Sequence, residues 1–241
     1  MSIKKDLRLK SLLKDLESFY STYSDGRRHF TYAYGSHITG YASEFSDLDI
    51  VTIGDDYSKK DIEEIKNYII DFHNKNNLKI DEEVPFEKKL VCSYNMMLGA
   101  VLGEGFHYDD AGMPLVPELI LTQEYLQSDE LMKRILLSTI TNKSYLLSGS
   151  YEDYSFYEQK GWEKIVEVIF YMNNNQPLKQ DSFLELMISN GERTGRDYLG
   201  YMNKEPVRNY LTNKINEKFN IFLKKGLLKE EYKGVVYNGE R

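Results

Sequence analysis

Cysteine occurs once in this chain of 241 residues, at Cys92, so no disulfide can form within it. Histidine occurs four times, as His29, His37, His73 and His107, without the spacing of a zinc site. The sequence has no long block of lysine or arginine, and its formal net charge is −7. Binding a nucleic-acid backbone ordinarily takes a basic face, so a polymer such as transfer RNA is disfavoured as substrate, although a local patch can outweigh an acidic total. Lys4, Lys5, Arg8, Lys10 and Lys14 form a basic side on the first helical segment and read as a solvated face. Long hydrophobic runs are missing too. The longest nearly unbroken one, Met96 to Gly103, is far too short to span a bilayer. Met1-Ser2-Ile3-Lys4-Lys5 runs straight into an amphipathic pattern without the apolar stretch of a signal peptide, and the expected address is the cytoplasm. What remains is a chain 41% hydrophobic and 29% charged, long enough to bury a substantial core.

Leu9, Leu12, Leu13, Leu16, Phe19, Tyr20 and Tyr23 make one apolar stripe at helical spacing, ended by Ser24-Asp25-Gly26. His29 to Tyr34 reads as a short strand, Gly35-Ser36 as a turn, and Asp47 to Ile53 as a second strand. Ser58 is the expected N-cap of a helix through about Asn74, and Leu78 to Val84 a third strand ended by Pro85. A helix is expected near Phe86 to Met97, then a glycine-punctuated loop and an apolar run from Leu115 to Leu121. From Ser128 onward the pattern predicts helices only, over about 129–148, 156–174, 181–201 and 206–225. The expected fold class is α+β: residues 1–127 as a mixed sheet with flanking helices, and 128–241 as a helical bundle.

The chemistry concentrates in Tyr34-Gly35-Ser36-His37-Ile38-Thr39-Gly40, continuing to Ser46-Asp47-Leu48-Asp49-Ile50-Val51. On a strand, Asp47 and Asp49 point to one face, with Cα atoms roughly 7 Å apart. Two such carboxylates repel unless a cation sits between them, and Mg²⁺ prefers oxygen ligands. Leu48 and Ile50 point the other way and anchor the strand in the core. An outward-facing carboxylate pair is the protein half of a two-metal site, with ions about 3.5–4 Å apart. Glycine at a strand-to-helix turn lets backbone N–H groups approach an anion, the Ser36 hydroxyl can donate to a phosphate oxygen, and a following helix N-terminus adds favourable charge. Gly40 permits the tight return to the second strand. His37 stands next to Ser36, either touching an anion held at this turn or facing solvent. Tyr151, Tyr154, Phe156, Tyr157 and Trp162 cluster at the start of a helix, as core packing or as a stacking wall for a ring. Cys92 reads as a buried thiol.

The ordered combination of apolar strand, Gly-Ser, glycine four residues on, and Ser-Asp-x-Asp entering a second apolar strand resembles the signature of the polymerase-beta nucleotidyltransferase superfamily. The likeness is greatest to its small bacterial members, which include antibiotic nucleotidyltransferases. It covers residues 30 to 84, about a quarter of the chain. One departure is His37-Ile38-Thr39, where some relatives, the toxin–antitoxin type among them, carry an arginine.

The resemblance implies two Mg²⁺ ions, a nucleoside triphosphate donor, and transfer of a nucleoside monophosphate to an acceptor hydroxyl with release of pyrophosphate. It also implies a third carboxylate on a later strand. Asp81 and Glu83 share one side of the 78–84 segment; Asp81 is the preferred third metal ligand beside Asp47 and Asp49, and Glu83 an auxiliary base near the acceptor. Gly35, Ser36, His37 and Ser46 are the nucleotide-binding candidates. Glu158, Glu163 and Glu167 are candidate bases from the helical half. The expected acceptor is a small hydroxylated molecule, an aminoglycoside-like antibiotic among them, rather than nucleic acid or a membrane. The alternatives are a nucleotidyltransferase acting on transfer RNA or protein, and a catalytically idle nucleotide-binding module.

Overall fold

The structure, a computed structural model, describes residues 3–24, 26–43, 46–80, 89–106, 128–193 and 204–239. The fold is mixed α+β, built on a four-stranded sheet. In chain order the elements are α1 (Ile3–Tyr23), β1 (His29–Tyr34), α2 (Ser36–Thr39), β2 (Asp49–Gly54), α3 (Lys59–Lys75), β3 (Val91–Cys92) and α4 (Tyr94–Leu102). There follow α5 (Asp129–Thr141), β4 (Tyr145–Gly149), α6 (Tyr151–Met172), α7 (Gln180–Arg193), α8 (Glu205–Lys224), β5 (Leu228–Glu231) and β6 (Gly234–Tyr237). The strand order is β3-β2-β1-β4. β1 runs antiparallel to both neighbours, pairing Tyr34 with Asp49, His29 with Gly54, Phe30 with Gly149 and Ala33 with Tyr145. β3 lies parallel to β2.

Both faces of the sheet are covered, which is why every residue of β1 is buried. On one face α1 and α3 pack Leu12, Leu13, Leu16, Tyr20, Ile65, Ile69 and Phe72 against Ala33, Leu48 and Ile50. The α1 stripe expected from the sequence is the one that makes this layer. Phe19 and Tyr68 join the two helices by stacking at 3.5 Å between ring centroids. On the other face Phe30, Tyr32, Tyr34, Val51 and Ile53 meet residues of α4, α5 and α6 in a larger core that continues through α7 and α8. Trp162 and Tyr157 are buried there and Tyr154 packs against it, whereas Tyr151 and Phe156 are exposed. Cys92 is buried, and desolvation pushes its thiol up to about 12. Among the described residues no helix is long and apolar enough to cross a membrane.

Several expected elements are replaced. The segment 128–241 is not wholly helical: Tyr145–Gly149 adds a strand to β1, and β5 and β6 form a hairpin. Asn142 ends α5, and its backbone is extended (ψ 177°), which turns the chain from helix to strand. Residues on both sides of position 127 therefore build one sheet. On the side away from β1, β2 pairs with Val91–Cys92, inside the segment expected to be a helix; the helix is Tyr94–Leu102, capped by the Ser93 side chain. Leu78, Lys79 and Ile80 are not in a strand, residues 81–84 lie outside the described residues, and so does the run 115–121.

The end of β1 remote from Tyr34 is pinned by polar contacts. Arg28 forks onto Asp153 of α6, Tyr94 donates to the same carboxylate, and Ser150 N–H donates to His29 O. Gly149 makes that closeness possible: its φ is +93°, and a Cβ there would run into the His29 carbonyl. Gly149→Ala is therefore expected to lower unfolding stability by roughly 2 kcal/mol or more, read as a shifted urea midpoint at unchanged slope.

Candidate functional site

The candidate residues gather where β1 ends and β2 begins. Tyr34, the last residue of β1, pairs with Asp49, the first of β2. Gly35 then leaves the sheet with φ +83° and ψ −162°, a region open essentially to glycine alone. Its Cα stands so close to Asp49 that a Cβ would land on the Asp49 Oδ2. This single contact brings the Gly-Ser turn and the Asp-x-Asp pair into one place.

α2 is one turn long, so its dipole is too small to hold an anion by itself. Its role is to fold the loop back. Ser36 O accepts from the N–H groups of Gly40, Tyr41 and Ala42, and Gly35 O accepts from both N and Oγ1 of Thr39. Gly40 closes the turn in the left-handed conformation at φ +99°, the role expected of it. Ile38 is buried in the α1–α3 core, which accounts for an apolar residue at this position of the loop.

Asp47 does not lie in the strand, which begins two residues later than expected. The physical reason is the early exit of β1: its last residue, Tyr34, pairs with Asp49, and Gly35 then turns away, so the paired register stops there. Leu48 is buried against α1 and α3, as expected, and Ile50 with it. Tyr34 lies on the opposite face, and its hydroxyl is held well above its ordinary range, first by burial, then by the negative charges of Asp49 and Asp47.

Two histidines tie down the lead-in to β2. His37 Nε2 donates to Ser46 O at 3.2 Å. Burial pushes the His37 imidazole below its ordinary value, partly opposed by that bond, with Arg8 adding a smaller push down and Asp47 a pull up. Ser46 Oγ accepts from Ser43 N–H, so Ser46 also braces the loop. His73, buried on α3, engages both ring nitrogens. Ile69 O can only accept, so Nδ1 carries the proton; Nε2 accepts from Leu48 N–H at 3.3 Å. Sequence reasoning gave His73 no role, although its place on the same buried face as Ile65 and Ile69 was a usable signal.

Among the described residues no group of three or more His, Cys, Asp or Glu side chains is placed to hold a metal ion. Asp81 and Glu83, the candidates for the third carboxylate, lie outside the described residues. The three glutamates considered as bases are engaged in ion pairs on or beside α6: Glu158 with Lys214 and Lys218, Glu163 with Lys160 and Lys225, and Glu167 with Lys164. Each therefore faces at least one lysine ammonium. No protein-family model, curated protein or solved structure matches this chain.

Proposed function

We propose that the chain is a magnesium-dependent nucleotidyltransferase that moves a nucleoside monophosphate from a nucleoside triphosphate to a hydroxyl of a small acceptor. The observation that carries this reading is the packing of Gly35 against the Asp49 carboxylate. It sets a backbone turn able to approach a phosphate beside paired oxygen ligands able to hold its counter-ion. The donor set is hard oxygen throughout, which fits Mg²⁺ and not a soft metal.

Asp47 and Asp49 would hold the metals, with Asp81 as the candidate third ligand. Mg²⁺ bound there supplies positive charge that lowers the pKa of the acceptor hydroxyl and offsets the charge of the departing pyrophosphate. The protein's own part is positioning. Gly35 lets the turn approach the β and γ phosphates, the Ser36 hydroxyl donates to one of them, and the hydrogen bonds around Ser36 O keep that turn rigid. Because phosphoryl transfer relies mostly on alignment and electrostatics, few further groups are required. Glu83 is the candidate auxiliary base, together with Glu158, Glu163 and Glu167 of the helical half, each of which is paired with a lysine. A net charge of −7 favours a small hydroxylated acceptor over nucleic acid.

A thermal melt tests the donor site. ATP, GTP, CTP or UTP with Mg²⁺ is expected to raise the Tm by mass action, with about 2.7 kcal/mol gained at a hundredfold excess over Kd, and Mg²⁺ alone to raise it less. Ser36→Ala should shrink the shift. A Tm indifferent to all four triphosphates would sink the reading.

A further inference from the structure

We infer that His73 is a positioning residue for the Asp47–Asp49 pair, an inference that rests on the metal-binding reading above. Leu48 is the residue between the two carboxylates, and its backbone N–H has His73 Nε2 as partner, 25 residues away on α3. The direction of the bond follows from the other side of the ring: Nδ1 must donate to Ile69 O, four residues back in the same helix, which leaves Nε2 as an acceptor aimed at Leu48. The ring is buried, and its neighbour Phe72 meets it edge-on at 5.9 Å, so packing and hydrogen bonding fix it together.

Asp47 precedes the first paired residue of β2, so its placement is not set by the β1–β2 register. β2 begins at Asp49, and before it the chain is held from outside the sheet. His73 grips Leu48 N–H from α3, and His37 grips Ser46 O from α2. The pair of carboxylates is therefore clamped at its midpoint and just upstream, and α3, which touches no phosphate or acceptor in the proposed reaction, sets where Asp47 and Asp49 stand relative to each other. Groups that orient metal ligands in this way are worth about 10- to 100-fold in metal affinity.

The two nitrogens can be separated by substitution. In His73→Gln the side-chain carbonyl reaches the place of Nε2 and can accept from Leu48 N–H. In His73→Asn the shorter amide can serve Ile69 O but leaves Leu48 N–H without an acceptor. Binding of Mn²⁺ alone, counted by the electron paramagnetic resonance of the free ion, is the readout, with Asp49→Asn as the reference for a lost ligand. His73→Asn is expected to weaken Mn²⁺ about tenfold and His73→Gln by less than about threefold. In the wild-type protein, long-range ¹H–¹⁵N spectra are expected to show His73 protonated on Nδ1 with Nε2 bare, a test that needs no variant to fold. Wild-type Mn²⁺ affinity in His73→Asn, alongside loss in Asp49→Asn, would overturn the inference and leave the metal site standing. Equal losses in the Gln and Asn variants, or a proton on Nε2, would also overturn it by reducing His73 to packing. A wild-type protein that binds no Mn²⁺ would overturn both this inference and the metal reading.

Discussion

Asp49→Asn is expected to cut turnover about 10²-fold or more while moving the Tm by less than about 2 °C. Asparagine keeps the shape of aspartate and removes only its charge, and deleting one electrostatic contact to the reacting groups costs other enzymes about 10²- to 10³-fold. Asp49 is half-buried at the very start of β2, its backbone pairing with Tyr34 is unaffected, and loss of one negative charge beside Asp47 relieves repulsion. Changes at such positions ordinarily stay within about 0.5 kcal/mol, which sets the expected Tm shift for a chain of this size. Asp47→Asn should behave in the same way. The check is paired steady-state kinetics and thermal melting. If both variants kept near wild-type turnover, the carboxylates would not be metal ligands.

Gly35→Ala should do more harm to the protein and as much to the reaction. At φ +83° and ψ −162° the backbone costs a non-glycine residue on the order of 1–3 kcal/mol. The new methyl would also displace the Asp49 Oδ2, so the carboxylate must move or the turn must open. Turnover is expected to fall about 10²-fold or more by the loss of the same electrostatic contact, with stability lowered by about 1–3 kcal/mol in urea unfolding. Gly226→Ala separates the two effects. Its φ is +75°, yet a Cβ there meets nothing within 4 Å, so it should lose stability by the backbone cost alone and keep full activity. Equal activity losses in the two variants would mean that Gly35 acts through stability and not through Asp49.

The elements with strong local signals agree with the sequence reading. β1 spans His29–Tyr34 as expected, and α3 begins after Ser58, whose side chain accepts from Asp61 N–H while Asp61 returns the bond in a capping box. The Asp61 carboxylate is held below its ordinary range by Ser58 and by Arg27. That contribution to stability is present above the ordinary carboxylate pKa and disappears as the pH falls through the lowered one. The misses have a common cause. β4 is five residues long and only three residues separate it from the end of α5; Tyr-Leu-Leu-Ser-Gly continues a helical pattern as readily as it starts a strand. β3 is two residues long and exists only because β2 lies beside it.

The residues alone determined the ingredients of the site: a glycine where the backbone must go positive, a hydroxyl beside it, and two carboxylates flanking a leucine. These are local facts, written in spacing and residue type. Only the tertiary structure decided that Gly35 touches Asp49, that Asp47 lies outside the strand, and that His73 from α3 holds Leu48 between the two acids. The reason is physical. A turn, a cap or an amphipathic stripe is encoded within a few residues, whereas the partner of a backbone N–H across 25 residues depends on how two helices and a sheet pack, which no local pattern contains.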